Sequence, residues 1–432
     1  MAGVDRSFPT DARAKPAHPG VGTASGASCR FCAEPLTQTF VDLGLSPLAN
    51  SLLDVQDLDS TEPRYPLHAY VCGECFLVQL GEFASPEDIF EEYVYFSSYS
   101  DSWVAHAKRY VERMVERFGV DGGSSVVEIA SNDGYLLQWF QELGVPVLGV
   151  EPAQNVAVVA EEKGIPTVVR FFGRETAEQL VGDGHRGDLV VANNVLAHVP
   201  DLNDFVDGLQ LLLARGGVAT LEFPHLLRLI EETEFDTIYH EHFSYFSLLT
   251  VERVFAAHGL QIFDVEELPT HGGSLRIYAR DANGAEPEPA VEELRQRERG
   301  AGLEDPDTYA QFGDRVDETK RSLREFLERA RNEGRSVIAY GAAAKGVTLL
   351  NYCDVGPDLV EYVVDRSPHK QGLYLPGVRL PIRAPERVTE TKPDYLLLLA
   401  WNLKDEIVEQ MAHVREWGCR FVTPVPEVAV HD

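Results

Sequence analysis

The sequence lacks any apolar stretch long enough to span a bilayer. Its longest unbroken runs, such as Tyr395 to Trp401, fall far short of the ~18 residues a membrane helix requires. No charged, then apolar, then small-residue succession of the secretory kind stands at the start, so a cytoplasmic protein without membrane partners is expected. Basic residues are scarce: 38 against 69 acids, for a formal charge of −31. Such a chain repels nucleic acid unless it carries a segregated basic face, and none is visible. Familiar ligand signatures are missing too. There is no G-x-G-x-x-G turn, no G-x-x-x-x-G-K-[ST] loop and no H-E-x-x-H helix. Those absences count against a dinucleotide, a P-loop nucleotide site and metalloprotease zinc in turn.

Cysteine is sparse but patterned. Six are present, and four form two C-x-x-C pairs, Cys29 with Cys32 and Cys72 with Cys75. In an intracellular protein such pairs mean metal or redox chemistry rather than a disulfide framework. Neither pair is followed by a thioredoxin-like βαβ pattern. Two knuckles of thiolates close a tetrahedral zinc site with all four positions filled, which is a structural site. The interval between the pairs requires a small β-rich insert. Cys353 and Cys419 are unpaired by spacing and read as inert.

What is present is organised around Ser125-Val-Val-Glu-Ile-Ala-Ser-Asn-Asp-Gly-Tyr-Leu-Leu137. A short apolar strand ends in Glu128, a turn of small and polar residues follows, and a helical pattern opens at Tyr135. This is the first strand–turn–helix of a doubly wound α/β unit, where ligands sit at the carboxyl ends of strands. A second apolar run ends in Glu151, the position that grips a ribose. Further strands fit Thr167–Val169, Leu189–Ala192, Val218–Phe223, Gln261–Val265 and Ser274–Ala279. Asn193 and Asn194 close the fourth strand, where paired amides are costly to bury without partners. Phe172 follows the third, placed to lie against adenine or to pack in the core.

The densest chemistry is Asp236-Thr-Ile-Tyr-His-Glu-His-Phe-Ser-Tyr245, expected to be strand-like. His242 can take a proton near neutral pH. Glu241 can orient it, and Tyr239 can donate to a developing oxyanion. His198 lies over the same mouth, and these residues alone do not separate His242, His240 and His198 as the base. The turn His271-Gly-Gly-Ser274 is placed to reach it. A second strand–small turn–helix opens at Arg335 and carries Tyr340-Gly-Ala-Ala-Ala-Lys345-Gly, an anion site by the helix-start rule.

With 432 residues the chain exceeds one core. The expected plan is a disordered leader over 1–28, a zinc-binding module over 29–90, a linker and helix over 91–123, a central α/β unit over 124–285, a charged helical bridge over 286–333 and a last α/β unit over 334–432.

Taken together, C-x-x-C…C-x-x-C, Y-x-Y-F-S-S-Y-S, E-I-A-S-N-D-G-Y-L-L, Y-H-E-H-F-S-Y and Y-G-A-A-A-K-G resemble the sugar C-methyltransferases of antibiotic deoxysugar pathways. These act on nucleotide-linked 4-keto sugars. The resemblance implies a class I (Rossmann-like) methyltransferase fold of α/β class, flanked by an N-terminal zinc module and a second Rossmann-like α/β domain. It implies S-adenosylmethionine as donor, zinc on Cys29, Cys32, Cys72 and Cys75, and a nucleotide-sugar substrate, expected in dTDP form, methylated at C-3 or else C-5. The donor would be lined by Glu128, Ala130, Ser131, Asn132, Asp133, Gly134, Leu137, Glu151, Phe172 and Asn193. Tyr93, Tyr95, Ser97, Ser98, Tyr99, Asn194, Lys345 and Lys370 would face the substrate. His242, Glu241, Tyr239 and His198 would carry the chemistry, with Tyr239 or His198 on an enolate oxygen. A monomer or weak homo-oligomer is expected. An O- or N-methyltransferase, or a non-catalytic nucleotide-sugar binder, are the competing readings.

Overall fold

The apolar runs that alternate with small-residue turns assemble into three sheets in a computed structural model that describes residues 27–83, 96–282 and 286–431. In chain order β1 is Gln38–Ser46, β2 Tyr65–Val71 and β3 Val78–Leu80. Next come β4 Val126–Ile129, β5 Val147–Val150, β6 Thr167–Val168, β7 Gly187–Asn193 and β8 Leu213–Pro224. Then follow β9 Ser244–Tyr245, β10 Leu260–Leu268 and β11 Ser274–Asp281. The last group is β12 Val337–Tyr340, β13 Val363–Val364, β14 Ile382–Arg383, β15 Tyr395–Leu398, β16 Arg420–Thr423 and β17 Ala429–His431.

The first sheet runs β1-β2-β3-β9, all antiparallel. The Cys72–Cys75 knuckle is the β2–β3 connection. Both knuckles turn alike: the amide of Ala33 bonds to Cys29 O at 2.9 Å and that of Phe76 to Cys72 O at 3.0 Å. The fourth strand, β9, comes from far along the chain and follows the His242 segment directly.

The central sheet has the order β10-β11-β8-β7-β4-β5-β6. Strands β4 to β8 are parallel, and β11 enters antiparallel between β8 and β10. This is the class I arrangement that the resemblance implied. Its order reverses at β4, so the crevice lies at the carboxyl ends of β4 and β7. The helix Asp101–Phe118 precedes it, as its apolar spacing predicts, capped by the Ser100 side chain and closed at Gly119 in the left-handed region (φ 65°). The third sheet, β14-β13-β12-β15-β16-β17, is parallel but for β17 and reverses at β12. It is the second doubly wound unit that the sequence pattern predicts.

The charged stretch before it forms the helices Pro289–Gly300, Pro306–Ala310 and Phe312–Asn332. Its apolar stripe does more than face a bridge. Phe312 stacks on Phe40 of β1 with centroids 4.4 Å apart, and one buried cluster joins β1 and β2 to β12 and β15. Nor is its charge uniformly wet: Glu298 is fully buried against His225 at 2.7 Å and accepts the amides of Leu248 and Leu249.

The expected leader falls outside the described residues except at positions 27 and 28, where Ser28 bridges Pro35. Tyr93 and Tyr95 also lie outside them. Among the described residues no helix is long and apolar enough to cross a membrane.

Candidate active site

The turn after β4 closes tightly. Ala130 and Asn132 both take left-handed φ, at 53° and 50°. Gly134 follows at φ 75°, and a Cβ there would run into Ile165, so glycine is required. Around this turn several buried polar atoms have no hydrogen-bond partner: Glu128 Oε2, Ser131 Oγ, Asp133 Oδ1 and, at the end of β7, Asn193 Oδ1. A folded chain rarely leaves such atoms orphaned, so their convergence at the switch point fits a polar ligand. Burial, with Glu151 and Asp133 nearby, pushes the Glu128 carboxyl well above the usual range.

Glu151 also braces the turn itself. Its two oxygens accept the amides of Asn132 and Ala153, each at 2.9 Å. Each carboxylate oxygen keeps a further lone pair for a ribose. Leu137 departs from expectation. It is fully buried in the apolar cluster with Leu136, Phe140 and Ile165, because the helix begins there and turns its first residue inward. Phe172 is half-buried, edge-on to Phe205 with centroids 5.4 Å apart.

Ser97 and Ser98 close on this same turn instead of facing a sugar. The Ser97 amide donates to Asn132 Oδ1 at 2.9 Å, and Lys163 Nζ ties Ser98 Oγ (2.9 Å) to Asp133 O (2.7 Å). Tyr99 next to them is 69% exposed and stacks on His369 across the cleft, centroids 6.1 Å apart.

The Tyr239–His242 row is a turn, not a strand; only Ser244–Tyr245 pair. The turn sends successive side chains to different neighbours. His242 Nδ1 bonds to Thr237 O at 2.9 Å, and His198 Nδ1 to Glu241 O at 2.8 Å. A carbonyl only accepts, so both nitrogens carry the proton and each Nε2 presents a lone pair. The two rings meet edge to face, centroids 4.7 Å apart, and Tyr239 lies 4.0 Å from the His242 ring. Burial holds His198 down to about 4 and His242 well below the ordinary histidine value.

Three expectations change here. The Glu241 side chain does not orient His242; it accepts from Asn50 Nδ2 at 2.6 Å, and burial raises its pKa to about 7. His240 turns away to Pro66 O at 3.2 Å, between Tyr65 and Phe83. His198, neutral with its proton on Nδ1, cannot donate from Nε2 to an enolate oxygen. Asn194 stands at the rim with φ 55° and an unpartnered Oδ1.

The C-terminal lysines are also spoken for. Lys345 Nζ donates to His271 O at 2.9 Å and lies 4.5 Å over the Trp401 ring. Lys370 Nζ donates to Ala342 O at 2.8 Å. The turn amide of Ala342 is taken by Asp365 Oδ2 at 2.8 Å. The chain's own carboxylate therefore stands where a phosphate was expected. His271 does reach the mouth: it stacks on Trp103, which stacks in turn on Tyr135 beside the β4 turn.

Comparison with known proteins follows this geometry. Family models match a zinc binding domain over residues 29–90, a methyltransferase domain over 103–265 and a C-methyltransferase C-terminal domain over 269–426. The C-methyltransferase NovU of Streptomyces niveus is 38% identical over 403 residues, which is 93% of this chain and 96% of that one. This chain belongs to the S-adenosylmethionine-dependent C-methyltransferase family. It is a methyltransferase, which removes the non-catalytic binder as a reading. More distantly, a ubiquinone biosynthesis O-methyltransferase of Methylobacterium sp. (strain 4-46) is 37% identical over 100 residues, 22% of this chain and 39% of that one. Among solved structures, the magnesium protoporphyrin IX methyltransferase of Synechocystis PCC 6803 with bound SAM covers 41% of this chain and 78% of its own, at 16% identity and TM-score 0.32.

The family's metal and donor both suit this chain. Cys29, Cys32, Cys72 and Cys75 place one sulfur each within 4.8 Å of the others. The closest Sγ···Sγ separations are 3.5, 3.6 and 3.7 Å. A tetrahedron with Zn–S of about 2.3 Å has edges of roughly 3.8 Å, so the quartet is shaped for zinc. Gln79 Nε2 donates to Cys29 Sγ at 3.2 Å, while its backbone pairs with Ser244 in β9.

Asn50 and Trp401 were given no role from the sequence, and Asp236 and Thr237 figured there only as the opening of the histidine row. Nothing local marks Asn50. Trp401 did carry a signal: it lies just past the carboxyl end of β15, where doubly wound units gather function.

Proposed function

We propose that the protein transfers a methyl group from S-adenosylmethionine to a ring carbon of a nucleotide-linked 4-keto-deoxysugar. We assign dTDP as the nucleotide and C-3 as the carbon, in the making of a branched deoxysugar. The observation that carries this reading is the His242–Thr237 hydrogen bond, with Tyr239 against the same ring. It supplies a neutral, directed imidazole beside a phenol. A heteroatom acceptor needs no such pair; a carbon acceptor does.

A C-4 ketone acidifies the hydrogen on C-3. His242 Nε2 takes that proton, and the C–H electron pair moves into the ring as an enolate. Tyr239 donates its O–H to the enolate oxygen, where charge builds in the transition state. His198 Nε2 accepts from a sugar hydroxyl and Asn194 Oδ1 does likewise. When bound, the donor supplies an electrophilic methyl group and leaves as S-adenosylhomocysteine. Glu128, Ser131, Asp133 and Asn193 satisfy its polar groups, the backbone of Ala130, Asn132 and Gly134 approaches it closely, Glu151 takes the ribose, and Phe172 stands beside the adenine. Tyr99 takes the nucleotide end of the sugar. Zinc takes no part in the reaction, since all four of its positions are filled by thiolates.

The test is a mass spectrum of the protein with donor and a dTDP-4-keto-deoxysugar in deuterated water. Product heavier by one methyl group, with deuterium entering unreacted sugar beside the ketone, is expected. Methylation without exchange on sugars bearing hydroxyl or amino acceptors would move the assignment to O- or N-transfer.

A further inference from the structure

The segment that carries His242 is gripped from two sides. The zinc module holds one side through Asn50 at Glu241, Pro66 at His240 and β3 at β9. The C-terminal sheet holds the other. Trp401 donates Nε1–H to Asp236 Oδ2 at 2.7 Å. From the helix Ala344–Tyr352, Thr348 donates to Ile238 O at 3.0 Å, and the Tyr352 ring meets Phe235 edge to face at 5.4 Å. The two gripped positions, Asp236 and Ile238, flank Thr237, whose carbonyl takes the His242 Nδ1 proton.

Asp236 is fully buried. A buried carboxylate that lost its indole donor would turn toward another partner, because an unsatisfied charged group costs several kcal/mol. With Asp236 and Ile238 held on either side, the Thr237 peptide stays turned toward the imidazole, and loosening either grip leaves that peptide free to turn away. Nothing in this chain of contacts needs the substrate.

We propose that the C-terminal sheet is a positioning device for the base: Trp401, acting through Asp236 and Thr237, sets the tautomer and direction of His242. The proposal rests on the reading of His242 as the base. Lys345, on the same helix as Thr348, lies over the Trp401 ring and holds the carbonyl of His271.

Trp401→Phe keeps an aromatic ring beside Lys345 while removing the N–H, along with part of the indole's bulk. In protein labelled with 15N-histidine and free of substrate, wild-type His242 should show a single Nδ1–H tautomer, identified by its loss in His242→Ala. Trp401→Phe should mix the two tautomers. Its kcat should fall about tenfold or more, as displaced catalytic groups do, with the KM for nucleotide sugar within about twofold. S-adenosylhomocysteine binding should be unchanged, which reports a folded central sheet. An unchanged tautomer overturns the proposal. So does a raised KM at constant kcat, which would make the C-terminal sheet a substrate holder alone. If the Phe variant does not fold, Thr348→Val cuts the neighbouring bond and carries the same test. A wild type inert toward every 4-keto sugar would sink the proposed reaction, yet the tautomer measurement would still decide this point.

Discussion

His242 donates its Nδ1–H to the carbonyl oxygen of Thr237 at 2.9 Å, five residues back on the same turn. That bond fixes Nε2 as the basic nitrogen. His242→Ala should therefore lower both deuterium exchange and methyl transfer by about 10²–10⁴-fold, the usual worth of a general base. Affinity for S-adenosylhomocysteine, measured calorimetrically, should not change. Equal losses in exchange and donor affinity would point to a collapsed fold instead.

Acid should affect the fold before it disarms the base. His242 is held well below the ordinary histidine value by burial, with His198, His271 and Lys345 adding to the effect. The base is then neutral throughout the physiological range, and the acid limb of kcat/KM should lie well below the ordinary histidine range. Stability falls with acid as well, and from a higher pH. Burial also lowers His198, His240 and His271 to about 4. An unfolded chain protonates these rings near pH ~6.5 while the folded one does not. Their contribution is present above that pH and lost as pH falls from ~6.5 toward ~4. Melting temperature should drop steadily across that window; a flat profile from pH 7 to 5 would contradict the burial of these rings.

Zinc removal should abolish exchange without releasing the donor. The thiolate quartet supports β3 through Gln79, and β3 holds β9 immediately after His242. Among the described residues the β4 turn makes no hydrogen bond to the four cysteines, although Cys29, Cys72 and Cys75 share a buried cluster with Val127 and Ile129 of β4. Chelation, followed by metal analysis, should remove about one zinc per chain. Exchange should be lost while S-adenosylhomocysteine still binds. Simultaneous loss of both would mean that the metal supports the central sheet as well.

Glu151→Ala should weaken donor binding about tenfold or more. It removes a ribose acceptor and frees the amides of Asn132 and Ala153, which it holds at 2.9 Å. The variant's KM for donor should rise further than its KM for sugar. Equal rises would place Glu151 outside the donor site.

Much of this was legible in the sequence because it is written locally. Val126–Ile129 and Val147–Val150 end beside the expected Glu128 and Glu151, and the Asp101–Phe118 helix follows its apolar spacing. Thiolate knuckles and a left-handed turn also announce themselves within a few residues. What was not legible depends on partners distant in sequence. Glu241 finds Asn50, and Asp236 finds Trp401, across |i−j| of 191 and 165. Leu137 reads as part of a ligand turn by position, but the helix phase buries it. Lys345 beside small residues reads as a phosphate ligand, yet Asp365 already occupies the turn and His271 O captures the ammonium.

The position of β9 imposes an order on the chain's own birth. The N-terminal sheet is one strand short until residues 244 and 245 arrive to pair with Gln79 and Val78. An N-terminal module would ordinarily finish folding first as it leaves the ribosome. Here β3 must keep an open edge while the whole first half of the central sheet is made, and an open edge invites the wrong partner. Metal capture by the four cysteines is the step available early. The closing strand is not, and it arrives joined to the residues to which the chemistry is assigned above. The sheet is thus completed only in a molecule whose reaction site is being assembled in the same movement.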